Sequence, residues 1–203
     1  FTVPTHRIDG TLVFDGIPPA DATLTAQLGR YEEWRQASFL GWLPDGGILI
    51  ATRFGRFEQV HRVVAPLGMR QQLTFGVGSV IEASAPASGA GFVFVRQTGG
   101  FPQLYAYSGP GAVRPLTQGR YQHGSPVWAH DGRQVAFYGT DRTGVNDDIY
   151  IVNVAAGTPP RLAIAGAAGS WRPLDWSQDD SKLLLLNTLS PQQSALYVAE
   201  VAT

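Results

Sequence analysis

Residues 123–162 read HGSPVWAHDGRQVAFYGTDRTGVNDDIYIVNVAAGTPPRL and form one complete structural repeat. A polar opening leads into Ser125-Pro126-Val127-Trp128. His130-Asp131-Gly132-Arg133 predicts a tight turn, because glycine tolerates positive φ and an aspartate side chain bonds the turn backbone. Val135 to Tyr138 predicts an apolar strand, Thr140 to Asp148 a polar loop, and Ile149 to Val154 a second apolar strand. A Gly-Thr-Pro-Pro turn then precedes a short strand around Arg161 to Ile164. A lone four-stranded sheet with two apolar faces cannot bury both, so the stretch predicts neighbouring copies.

The copies are present. The turn before the most apolar strand is Trp42-Leu43-Pro44-Asp45-Gly46, Ala85-Pro86-Ala87-Ser88-Gly89, Trp128-Ala129-His130-Asp131-Gly132 and Trp176-Ser177-Gln178-Asp179-Asp180. Its anchors Asp45, Ser88, Asp131 and Asp179 lie 43, 43 and 48 residues apart. His61, Tyr105, Tyr150 and Tyr197 recur on the next strand at 44, 45 and 47. Leu73, Leu116 and Leu162 each close a short strand. Three markers in step, with four strands per unit and a period in the forties, predict an all-β propeller segment of about four blades. A β-sandwich also has many short strands but lacks this self-similarity. The expected blades are 38–78, 79–121, 122–167 and 168–203. The last is incomplete, because the chain reaches Thr203 before a fourth strand.

Residues 1–37 do not fit the period and predict a lead of one strand and one helix. Thr11 to Phe14 follows an Asp9-Gly10 turn, and Gly16 to Pro19 breaks it. Ala20 to Trp34 places Leu24, Leu28 and Tyr31 on one helical stripe, with Asp21 at the positive end of the dipole. The stripe is expected to pack on the outside or edge of the blades. Thr11 to Phe14 could also close the ring on the incomplete last blade; otherwise both open edges need a partner.

Composition narrows the function. The 203 residues are 44% hydrophobic and 15% charged, with 15 basic and 16 acidic side chains. A net charge of -1 does not suit a nucleic-acid surface, and the aromatics sit at repeat positions, where core packing explains them. There is no cysteine, which excludes disulfides, thiolate metal sites and a cysteine nucleophile. No apolar run reaches the ~20 residues of a membrane helix. The first residue is Phe1 rather than Met, as after removal of an upstream piece such as a signal peptide. The expected location is therefore the periplasm or the exterior, with the cytoplasm as the alternative.

At this point a resemblance becomes specific. Trp128-Ala129-His130-Asp131-Gly132, Ala136-Phe137-Tyr138, Thr140-Asp141-Arg142 and Asp148-Ile149-Tyr150-Ile151-Val152 resemble the TolB-type, WD40-like repeat. His130 stands where that family usually has proline, which Pro44 keeps. Gln71-Gln72-Leu73-Thr74 and Arg114-Pro115-Leu116-Thr117 resemble its closing strand. Residues 9 to 75, with Asp9 to Phe14, Gly16-Ile17-Pro18, Arg30-Tyr31, Ser38-Phe39 to Trp42, Ala51 to Gly55 and His61-Arg62-Val63, resemble the start of bacterial prolyl oligopeptidase-family peptidases. That resemblance implies an N-terminal propeller ahead of an α/β-hydrolase domain with a Ser-Asp-His triad, and further blades and that domain beyond this chain.

No catalytic residue carries over. Ser79, Ser88, Ser108 and Ser125 all lack the G-x-S-x-G elbow of such a nucleophile. His123, Ser125, His130 and Asp131 lie close together, but with no oxyanion element they read as loop and turn residues. Metal binding by the histidines, or calcium binding by Asp141, Asn146, Asp147 and Asp148, matches no ligand spacing. Neither a metal nor a cofactor is expected. What does not recur between blades is left for binding: His123, His130, Asp141 and Arg142. The resemblance adds Arg53, Arg56 and Arg62, which could pair with a peptide carboxylate; solvated strand-end arginine is the other reading. The expected function is thus the non-catalytic propeller of a prolyl oligopeptidase-like serine peptidase, gating or orienting peptides. The alternative is a stand-alone TolB-type scaffold for a protein partner. Expected partners are a peptide or protein, the missing blades and catalytic domain, or a second copy across the open edges.

Overall fold

The computed structural model describes residues 6–9, 12–17, 21–32 and 36–201. Alternating apolar residues bounded by glycine-rich turns make these segments strands, and antiparallel pairing of consecutive strands makes them blades. The first blade is β3 (Ala37–Trp42), β4 (Ile48–Thr52), β5 (Gln59–Val63) and β6 (Gln71–Gln72). The second is β7 (Val80–Ser84), β8 (Phe92–Thr98), β9 (Phe101–Tyr107) and β10 (Val113–Pro115). The third is β11 (His123–Trp128), β12 (Gln134–Gly139), β13 (Asp148–Asn153) and β14 (Arg161–Ile164). The fourth has three strands, β15 (Ser170–Trp176), β16 (Lys182–Ser190) and β17 (Gln193–Glu200). The fold is therefore the all-β propeller segment that the repeat predicts.

The N-terminal lead departs from expectation in three ways. Leu12–Phe14 (β2) pairs with Arg7–Asp9 (β1), a strand without enough apolar pattern to be seen in advance. In this two-stranded hairpin β2 pairs with β1 and not with β17; Thr11 lies outside the described residues. The helix α1 spans Ala22–Glu32, capped by Asp21, whose Oδ1 accepts the N–H groups of Thr23 (2.7 Å) and Leu24 (3.1 Å). Its stripe of Leu24, Leu28 and Tyr31 stays exposed instead of packing on the blades. Three side chains on one short helix offer little apolar area to bury.

Each blade mates two different faces with its neighbours. Leu49 and Val60 of blade 1 meet Phe92, Phe94 and Tyr107 of blade 2. Val93, Val95, Leu104 and Ala106 of blade 2 meet Val135, Phe137, Tyr150 and Val152 of blade 3. Ala136, Ile149 and Ile151 of blade 3 meet Trp176, Leu183 and Leu185 of blade 4. Phe94 stacks on Tyr105 and Phe137 on Tyr150, so the recurring tyrosine is a partner for the recurring aromatic of the strand beside it. In blade 1 this pair is Ile50 and His61. His61 is fully buried, and burial lowers its pKa.

A tryptophan pins the two later interfaces; blade 2 has Ala85 at that position. Trp128 Nε1 donates to the Ser84 carbonyl of blade 2 (2.8 Å), and Trp176 Nε1 donates to the Val127 carbonyl of blade 3 (3.1 Å). Ser84 and Val127 hold the same ladder position, opposite Val93 and Ala136.

A polar clamp closes blades 1 and 2. Thr74 Oγ1 donates to Gln59 Oε1 (3.0 Å) and accepts the Val60 N–H (2.9 Å). Thr117, Gln103 and Leu104 repeat this at 2.9 Å and 2.9 Å. The glutamine amide then holds the linker to the next blade, through Gly76 and Gly78 in one case and Gly119 and Tyr121 in the other. Blade 3 has Leu162-Ala163 where the others have Leu-Thr, and the clamp is rebuilt around Asp148.

Candidate functional site

The first strands of the blades, β3, β7, β11 and β15, lie side by side as an inner wall. Every one of them carries a bulge, at Phe39/Gly41, Val80/Glu82, Gly124/Val127 and Pro173/Asp175. A bulge re-aims the side chains next to it. At β11 it takes Ser125 to φ 51°, and the freed Ser125 N–H donates to Glu82 Oε2 of β7 (2.6 Å).

Beside this contact lies the wall's main polar group. Arg172 Nη1 donates to Asp147 Oδ2 (2.7 Å), which also accepts Ser170 Oγ–H (2.8 Å). The Arg172 guanidinium sits 3.5 Å from the centre of the Tyr138 ring, a cation–π contact. Burial raises the Tyr138 pKa; Arg172 opposes it, and Glu82 and Asp147 add to it. A Cβ at position 124 would come within 2.7 Å of the Tyr138 ring, so Gly124 is what admits the phenol there. The wall therefore offers a carboxylate, a phenol and a guanidinium in sequence. These are groups for orienting a charged or amide-bearing chain, with no nucleophile–base pair among them.

The residues singled out from sequence are not gathered in one place. Arg53 and Arg56 lie on the β4–β5 loop and make no ion pair among the described residues; Arg56 lies over the Phe57 ring. Arg62 is at the other end of β5, paired with Asp45. His123 is buried, and its Nε2 meets Asp141 Oδ2 at 2.7 Å. Both line a cleft of about 480 Å³ between blades 2 and 3, with Arg114 and Tyr150. Arg142 forks onto buried Asp148 (2.9 and 2.7 Å) and also donates to the Gly166 carbonyl (3.1 Å). Among the described residues no group of three or more His, Asp or Glu side chains is placed to hold a metal.

His130 is held by blade 4. Asp180 accepts the His130 N–H (2.8 Å) and the Asp131 N–H (2.9 Å), and meets His130 Nδ1 at 3.0 Å. Asp180 has φ 56°, at the turn position where Gly46 and Gly132 have φ 82° and 68°. Burial pushes the Asp180 carboxyl up, but the His130 and Asp131 donors outweigh it, and its pKa lies below the ordinary 3.8. A depressed carboxyl contributes stability that is complete above its unfolded pKa and is lost as pH falls through the folded value. Wild-type thermal midpoints should accordingly fall more steeply than those of Asp180→Asn below about pH 4. Equal slopes in calorimetric scans at descending pH would remove the latch.

Sequence reasoning missed Glu82, Tyr138, Arg172 and Asp180, and weighed Asp147 only as a calcium candidate. The signals available were the glycine at 124 and the loss of glycine at 180, both departures from the repeat.

With the geometry in place, the chain can be compared with known proteins. The family model of the dipeptidyl peptidase IV N-terminal region matches residues 42–194. No curated protein sequence matches the chain. Among solved structures, TolB from Acinetobacter baumannii superposes with a TM-score of 0.61 at 18% identity, over 81% of this chain and 40% of that one. A prolyl endopeptidase superposes at 0.63 with 13% identity, over 87% and 30%. Dipeptidyl peptidase 4 from Porphyromonas gingivalis gives 0.54 at 17%, over 76% and 22%. The chain thus spans well under two thirds of these structures, and at such identities they share its fold. No helix among the described residues is long and apolar enough to cross a membrane. From Trp42 to Ser194 the chain carries the blade pattern of one peptidase region, and it belongs to the family of dipeptidyl peptidase IV N-terminal regions.

Proposed function

We propose that the chain is the non-catalytic propeller portion of a prolyl oligopeptidase-like serine peptidase, working in the periplasm or outside the cell. It gates or orients peptides for a hydrolase domain outside these residues. The family match over residues 42–194 carries this reading. The inner wall supports it: Glu82 and Arg172 are suited to the amine and carboxylate or carbonyl groups of a peptide. Arg53 and Arg56 offer a second carboxylate contact at the rim. The His123–Asp141 pair lines the cleft between blades, while Arg142 and His130 serve the binding face indirectly, by holding loops and turns.

The test has two parts. The purified chain should not turn over peptidyl esters or react with a fluorophosphonate; turnover blocked by that reagent would overturn the non-catalytic assignment. Short peptides should bind, and Arg172→Ala should weaken them by about 10-fold, the loss of one charge-assisted hydrogen bond. Peptides that bind Arg172→Ala as well as wild type would remove the wall from the reading. The fold shared with TolB favours a stand-alone scaffold as the second reading. It would show as capture of a folded protein with no affinity for short peptides.

A further inference from the structure

Two equivalent positions of the repeat differ by one guanidinium. In blade 2, Phe94 stacks on Tyr105, and the Arg96 guanidinium lies 5.1 and 5.2 Å from the two ring centres. Arg96 is 8% exposed, and its Nη2 donates to the Phe75 carbonyl of the linker leaving blade 1 (3.1 Å). It has no carboxylate partner among the described residues. Two aromatic faces and a carbonyl therefore hold a buried cation. In blade 3 the same ring pair is Phe137 and Tyr150. Arg96 stands two places beyond Phe94, opposite Gln103; the residue two places beyond Phe137, opposite Asp148, is Gly139. With no side chain there, the two rings border the cleft of about 480 Å³ between blades 2 and 3. Among the described residues no cation lies over either ring.

We propose that this cleft binds the guanidinium of an arginine side chain presented by a peptide, in the place that Arg96 fills between blades 1 and 2. The remaining contacts are also in place. Gln118 follows the clamp residue Thr117 as Phe75 follows Thr74, and it too lines the cleft. Blade 3 adds a carboxylate, Asp141, where blade 2 has Thr98. Buried His123 holds Asp141 Oδ2 at 2.7 Å. A Cβ at position 139 would fall 2.7 Å from that oxygen and 3.1 Å from the Tyr150 ring, so carboxylate and ring flank the place together. The chain's own nearby cations are spent: Arg142 forks onto Asp148, and Arg114 donates to the Val154 carbonyl beyond the far end of β13. A planar ion that stacks and forks suits this set better than an ammonium. Both bordering blades have all four strands in this chain, and the cleft uses none of the inner-wall residues. The proposal does not rest on the peptidase reading.

Calorimetric titration of the whole chain tests this with acetyl-Ala-Arg-Ala-amide and the same peptide carrying citrulline, the neutral isostere of arginine. Both ends are blocked, so only the side chain differs. The arginine peptide should bind about 10-fold more tightly, the worth of one charge-assisted contact on an aromatic face. In Asp141→Asn, which keeps the shape of the side chain, that ratio should fall to near one. In Arg172→Ala it should stay as in wild type, whatever becomes of the two affinities, so a failure of the inner wall and a failure of the cleft are told apart. A lysine peptide should bind between the other two. Equal binding of arginine and citrulline peptides to the unaltered chain would overturn the proposal without any variant. So would an arginine preference that survives Asp141→Asn, or one that is lost in Arg172→Ala. Lysine binding as tightly as arginine would overturn the guanidinium assignment.

Discussion

Gly78→Ala should cost about 4 kcal/mol of stability, seen as a lower urea midpoint at unchanged slope, because strain and overlap add there. Gly78 has φ +100°, and a Cβ built on it falls 1.9 Å from the Gln97 carbonyl oxygen. That oxygen belongs to β8, so the overlap cannot be relieved by a side-chain rotation. Nor can the linker move aside. Gln59 donates to the Gly76 and Gly78 carbonyls, and Ser79, the next residue, accepts the Gln97 N–H (3.0 Å). Gly29→Ala is the matched control: nothing lies within 4 Å of its Cβ, and it is helical. Alanine there should raise stability by about 0.5–1 kcal/mol. Equal effects at the two glycines would contradict the assignment.

Asp148→Ala should cost about 3 kcal/mol, the penalty for stranding the partners of a buried carboxylate. Asp148 is fully buried, and its two oxygens hold the Gly166 N–H (2.7 Å) and both prongs of Arg142. Removing it orphans a buried amide and leaves a guanidinium without its counter-charge. Asp148→Asn should fall between, keeping an acceptor for Gly166 but setting an amide against Arg142. Arg142→Lys should not match wild type, because an ammonium cannot fork onto a carboxylate. Urea unfolding of the three variants checks the order. A neutral Asp148→Ala would show that Gly166 and Arg142 find water instead.

How much could be read in advance follows from which interactions repeat. Trp128, the Asp131-Gly132 turn and Tyr150 recur in most blades as a staple, a hairpin and a partner for the neighbouring aromatic, so the period displayed them and the fold with them. The Gln59–Thr74 and Gln103–Thr117 clamps also recur, yet they join polar residues 15 and 14 positions apart that form no motif of their own. Arg142 stood out as an uncommitted charge near a candidate site. Its partner is a residue six positions away, and whether a charge is spent inside the fold or left for a ligand depends on loop shape. The inner wall was hidden for a related reason. Glu82, Tyr138 and Arg172 belong to three blades and meet only because bulges turn the wall. The lead was the least legible part: β1 has three residues, and the apolar stripe of α1 has the right period without a surface to cover.

The clamp also gives assembly a direction. Gln103 reaches Gly119 and Tyr121 only when β9 is paired and Thr117 is seated against it, so the linker entering blade 3 is ordered by the completion of blade 2. Gln59 does the same for the entry to blade 2. For a nascent chain, the inner strands of blades 2 and 3 would then be tethered beside a finished sheet. That shortens the search for long-range pairing, which otherwise makes β-rich chains slow to fold.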